Sequence, residues 1–152
     1  MSDLFEPAVA HRFLASLFFD DRFSPMDIRF QRISGLHRQL DITQHREGGN
    51  NVGSVHFPER VTHGNLVLER GVMTLTPLTL HFEEAMSRFR TRYLRVIVLL
   101  LNQHNAPVCS WTFVNALPLS WQTGDLDANG SRVLINTLEL AYEEMHWLGT
   151  KA

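Results

Sequence analysis

The chain has 152 residues, enough for one domain with a core of its own. Hydrophobic residues make up 44% and charged residues 20%, ordinary proportions for a globular protein. The formal net charge of −2 lacks the basic excess of a dedicated nucleic-acid-binding domain.

The single cysteine, Cys109, excludes an intrachain disulfide and reads as a small apolar strand residue. Folding in a reducing bacterial cytoplasm is the expectation. Met1 to Pro7 carries Asp3 and Glu6 and no basic stretch, so no secretory signal is expected. The longest apolar run, Val96 to Leu101, is too short to span a bilayer, so no membrane segment is expected.

Strand signals dominate along the chain. Arg12 to Phe19 is rich in Phe and Leu and ends at the turn-like pair Asp20-Asp21. After Pro25, the apolar residues Ile28, Phe30 and Ile33 lead into Ser34-Gly35. Leu36 to Ile42 alternates imperfectly, as a strand partly exposed to water would. Residues 44–64 hold four glycines, Asn50, Asn51 and Pro58, a composition that predicts a long irregular loop. Such a loop in a compact domain is often a binding or assembly element.

Asn65 to Glu69 reads as a short strand with Leu66 and Leu68 on one face, ended by Arg70-Gly71. Pro77 to Phe89 predicts the one helix. Leu78, Phe82, Ala85, Met86 and Phe89 recur at helical spacing, Pro77 stands near the start, and Thr76 is the expected cap. Tyr93 to Leu101 reads as a central strand and Asn102 to Pro107 as a turn. Val108 to Leu117 is the next strand, interrupted by Pro118 and resumed over Leu119 to Trp121. Val133 to Leu148 has helical propensity, but Leu134, Leu138, Leu140 and Tyr142 follow period two and predict a strand. The expected fold is therefore mainly β, two packed antiparallel sheets of sandwich or barrel type, with one short central helix and a long loop.

Candidate chemistry is sparse. The eight histidines form no HxH, HxxxH or HExxH pair, and no metal site is expected. Gly48-Gly49 lacks the following Lys-Ser/Thr of a phosphate loop, and no G-x-S-x-G elbow occurs. The adjacent carboxylates Asp20-Asp21, Glu83-Glu84 and Glu143-Glu144 read as solvated charge. Arg88, Arg90, Arg92 and Arg95 form the one basic concentration, where the helix gives way to a strand. It suits a helix end, an acidic partner or a pore lining.

Five blocks, in order, resemble the phage tail tube protein family, the myovirus-type tube subunit also used in phage-tail-like contractile injection particles. They are Ile33-Ser34-Gly35-Leu36, Glu47-Gly48-Gly49-Asn50, Gly64 through Val72 (GNLVLERGV), Pro107-Val108 through Trp111 continuing to Asn115-Ala116-Leu117-Pro118 and Trp121, and Leu126-Asp127-Ala128 followed by Val133 to Tyr142. The resemblance implies a non-enzymatic structural subunit with no cofactor, a single tail tube domain over 1–152 with an N-terminal arm at 1–10 and a C-terminal tail at 146–152. It implies homohexameric rings that stack into a hollow inner tube inside a sheath. The implied partners are further copies of the chain, rings of tube paralogues, central spike and baseplate proteins and the sheath, with nucleic acid or protein only as lumen content. The implied location is a virion or extracellular phage-tail-like particle.

The chain departs from the family pattern at Leu117, at Glu143-Glu144 and in the extra residues from Met145 on. It also resembles the tube-initiator paralogues that join shaft to spike, and of the two positions the initiator is favoured. Residues 44–64 would then reach a neighbour, with Gly48, Gly49, Asn50, Asn51 and Phe57 as candidate interface residues, and Arg70 in the R-G block as another. The competing readings are a monomeric adaptor for a spike or effector and a small β-barrel ligand binder.

Overall fold

Alternating apolar residues become the cross-strand pairs of a sandwich. The computed structural model describes residues 12–19, 22–23, 29–45, 48–49, 53–71 and 75–149. Strand β1 (Phe13–Phe19) runs antiparallel to β7 (Leu94–Leu101), and its buried residues Ala15, Leu17 and Phe19 stand opposite Val98, Val96 and Leu94. In the same way β6 (Leu66–Arg70) pairs with β9 (Asn136–Ala141), placing Leu66 opposite Leu140 and Leu68 opposite Leu138. All four leucines are fully buried, and each contributes roughly 2 kcal/mol of transfer free energy.

One strand joins the two sheets. β8 (Pro107–Thr123) pairs through its first half with β7 on one side and with β10 (Glu144–Gly149) on the other. Its second half pairs with β9. The change of partner falls at Asn115, whose φ of 54° lies in the left-handed region that asparagine tolerates. The Asn115 side chain donates to Glu143 Oε2 at 2.8 Å, holding the corner to the β9–β10 turn. One sheet is thus ordered β2 (Arg22–Phe23), β1, β7, β8, β10, and the other β8, β9, β6, β3 (Arg32–Ser34). Their inward residues, Phe113, Leu138 and Met145 among them, form one core cluster.

The helix forms as the sequence predicts. α1 (Pro77–Arg88) begins at Thr76, whose Oγ1 accepts from Thr79 N–H, while Thr79 Oγ1 accepts from Thr76 N–H at 2.8 Å. This reciprocal capping satisfies two donors that a helix start otherwise leaves open. Leu78 and Phe82 join the core, and the His81 ring meets Phe19 edge-on at 5.5 Å.

Several expectations are corrected. The predicted long loop at 44–64 is mostly ordered as a β-hairpin, β4 (Arg38–His45) against β5 (Val55–His63). Three of the four glycines that suggested irregular backbone, Gly48, Gly49 and Gly53, lie between the two strands at the hairpin's tip, and the fourth, Gly64, follows β5 at its root. Pro58 sits where the register shifts, so it breaks no ladder it cannot leave. Pro118 does the same in β8, which is one bulged strand and not two. The expected strand over 133–148 is two strands, with Met145 turned into the core from β10. The expected tail from 146 is therefore strand as far as Gly149. The expected N-terminal arm at 1–10 lies outside the described residues.

Candidate functional site

The feature least explained by the chain's own packing is the β4–β5 arm. Eight and nine residues long, it reaches roughly 25 Å at about 3.3 Å per residue. Cross-strand partners share a face. Leu40 stands opposite Val61 and Ile42 opposite Pro58, so one face is apolar. That face is open to water, with Val61 59% exposed. The opposite face is polar apart from Phe57. Asp41 accepts from Arg60 Nε at 3.2 Å and from Thr62 Oγ1 at 3.4 Å, and Thr43 donates to Glu59.

Among the described elements only β4 and β5 themselves pack extensively along the arm, and it is clamped at its root. Arg38 and His63 face each other across the ladder. Arg38 Nη1 donates to Met145 O at 3.0 Å, and His63 Nε2 lies 3.1 Å from Glu143 O, an oxygen that can only accept. The His63 ring stacks on Tyr142 at 4.0 Å with a 13° tilt. Burial pushes the Tyr142 phenol above its usual 10.0, and the nearby Arg38 guanidinium partly offsets that rise. The chain enters the arm through Gly35, where φ is 88° and a Cβ would stand 1.9 Å from Asn65 O. Only glycine allows the arm's two ends to approach so closely.

The predicted interface residues separate into four groups. Gly48 and Gly49 lie at the turn between β4 and β5, exposed, with no atom near the Cβ each lacks. Asn50 and Asn51 lie outside the described residues. Phe57 is on the arm but opposite Thr43, on the face away from the Leu40–Val61 row. Arg70 is a different case. It is 6% exposed, donates from Nη2 to Thr76 Oγ1 at 3.0 Å and stands over the Phe30 ring at 5.6 Å. It ties the end of β6 to the cap of α1, so its role within the chain is internal and not that of a surface contact. Leu40, Ile42 and Val61 were missed as a set. Their signal was the Leu-Asp-Ile alternation, which has meaning only once residues 55–63 are read as the facing strand.

Among the described residues no group of three or more His, Cys, Asp or Glu gathers as metal ligands would. No helix among them is long and apolar enough to cross a membrane.

The family model of the T4-like virus tail tube protein gp19 matches residues 9–146. The chain belongs to the T4-like virus tail tube family. It is thus a tube component of a phage-tail-like contractile apparatus. No curated protein matches it. Among solved structures, a chain of the sixfold-symmetrised anti-feeding prophage baseplate is 53% identical, with a TM-score of 0.88, over 97% of this chain and 99% of that one. A chain of the anti-feeding prophage tube-terminating cap is 21% identical, TM-score 0.78, over 95% of this chain and 93% of that one. A chain of an extracellular contractile injection system, the PVC sheath–tube complex in its extended state, is 20% identical, TM-score 0.78, over 98% and 97%. The last two share the tail tube fold with this chain.

Proposed function

We propose that this tail tube protein forms a homohexameric ring at the baseplate end of the tube, in the layer that joins the shaft to the central spike. The observation that carries this reading is the contrast in identity. Likeness is 53% to a chain of a sixfold-symmetrised baseplate, and about 20% to chains of a cap and of a sheath–tube complex. In this reading the partners are neighbouring copies, tube paralogue rings and spike or baseplate proteins, and the role is structural, without cofactor or catalysis.

The physical features fit such a ring. The apolar row Leu40, Ile42, Pro58 and Val61 has no cover within the described chain, and a neighbouring copy supplies it. β10 pairs with β8 along one edge and presents its other edge for strand addition. Lys151 is the single lysine among 14 basic residues, and interfaces favour arginine over lysine. Native mass spectrometry of the purified chain tests the proposal. The expected species has six times the 17.5 kDa chain mass. A strict monomer at high concentration overturns the ring and favours an adaptor for a spike or effector.

A further inference from the structure

A six-membered ring is a head-to-tail assembly, so each copy must carry two different surfaces that fit one another. Two exposed patches of opposite character meet this need, and the side chains that mark them are not buried in the chain's own fold.

The first patch is the C-terminal end of α1. Phe89 is the helix C-cap, with φ 56° and ψ 25°, and it is 92% exposed. Its N–H and that of Arg90 both reach Glu84 O, the bonds of a left-handed helix stop. Glycine ordinarily fills such a position, because a residue with a Cβ is strained there. Phe89 is therefore unfavourable twice over in the isolated chain, through backbone strain and through a ring held in water. Arg88 and Arg90 flank it, both exposed, with the half-exposed Met86 one turn back. Arg88 suits the helix dipole. Neither Phe89 nor Arg90 is explained by that effect. Aromatic rings and arginines are the residues that dominate binding energy at interfaces.

The second patch is the loop between β8 and β9. It springs from Gly124, whose N–H donates to Ile135 O at 3.0 Å, and carries Asp125, Leu126 and Asp127 into solvent. Leu126 is 85% exposed. On the loop's return, Val133 lies against Gly71, at the end of β6 from which the chain leads to the start of α1. Arg70, beside Gly71, donates to Thr76 at the start of α1, whereas Phe89 stands at the other end of that helix, which at twelve residues is roughly 18 Å long.

We propose that Phe89, flanked by Arg88 and Arg90, seats on the Asp125-Leu126-Asp127 loop of the adjacent copy, ring to leucine and guanidinium to carboxylate. This contact rests on the ring reading above. It adds a charge-matched lateral contact to the apolar arm.

The test uses the full chain with Phe89→Gly, Arg90→Asp, Asp125→Arg and the double charge exchange, each followed by native mass spectrometry and thermal melting. At a concentration where both chains are monomeric, Phe89→Gly is expected to melt at or up to about 4 °C above wild type, because the strain is removed. It is expected to weaken hexamer formation at least tenfold. Each single charge reversal weakens the hexamer, and the double exchange restores it. A hexamer indifferent to all four variants overturns this contact and leaves the ring intact. A wild-type chain that stays monomeric overturns both. Variants that form normal hexamers but fail to enter the particle show that the Phe89 patch meets a different protein, which also overturns the contact.

Discussion

The two halves of this molecule use the same device to different ends. In the β6–β9 pair, Leu66 and Leu68 meet Leu140 and Leu138, and all four are closed off by the opposing sheet and α1. In the β4–β5 pair, Leu40 and Ile42 meet Val61 and Pro58 with the same antiparallel logic, and that face stays open. An antiparallel ribbon of two strands is marginal on its own in water. The body therefore carries the chain's stability, and the arm carries an apolar surface that the described residues leave open. Mutations should separate the two regions cleanly.

The largest effect is expected in the body. Leu138→Ala opens a cavity in the shared core and should cost about 3 kcal/mol, read from urea unfolding midpoints. Gly35→Ala, at the junction, puts a Cβ against Asn65 O with a positive φ and should cost about 2 kcal/mol in the same assay. Thr76→Ala removes the α1 cap and should cost about 1 kcal/mol, with helix loss visible by circular dichroism.

The arm root gives a pH signature. The native state holds the Tyr142 proton more tightly than the unfolded chain does, because burial raises the phenol above 10.0. Stability is therefore intact below that value and falls as pH rises above it. Tyr142→Phe should lose less stability than wild type between pH 9 and about 11 in chemical unfolding. The smallest effect on folding is expected on the arm itself. Val61→Ser should change monomer stability by less than about 0.5 kcal/mol while reducing hexamer formation in native mass spectrometry. A large folding defect in this variant would show that the arm is part of the core after all.

The same contrast explains what could be read from sequence. β1, β6 and α1 were legible because each has a buried face, and burial writes itself as period two or as helical spacing with a cap. β5 was illegible because six of its nine residues are exposed and none is buried, and no periodicity marks a strand that buries neither side. Pro58 then read as a breaker, although a bulge accommodates it. Arg70 was named as an interface candidate from the R-G block, and only the fold brings Thr76 and Phe30 around it. Asn136 was likewise hidden by type. It is buried in β9 and accepts from Thr123 Oγ1 at 2.9 Å. Of the candidate interface residues, Phe57 was named from the 44–64 stretch, whereas the exposed apolar row of the arm is formed by Leu40, Ile42 and Val61. Phe89 was counted as part of the helix's apolar spacing, and its exposure follows from the left-handed cap that ends the helix.

Electron cryomicroscopy of the assembled particle decides whether the chain forms a tube ring at the baseplate end with its arm buried by its neighbours. The expected result is six copies in a single layer between shaft and spike, with Leu40, Ile42 and Val61 covered by an adjacent subunit. Copies repeating along the shaft, or an arm standing free in solvent within the ring, would contradict it.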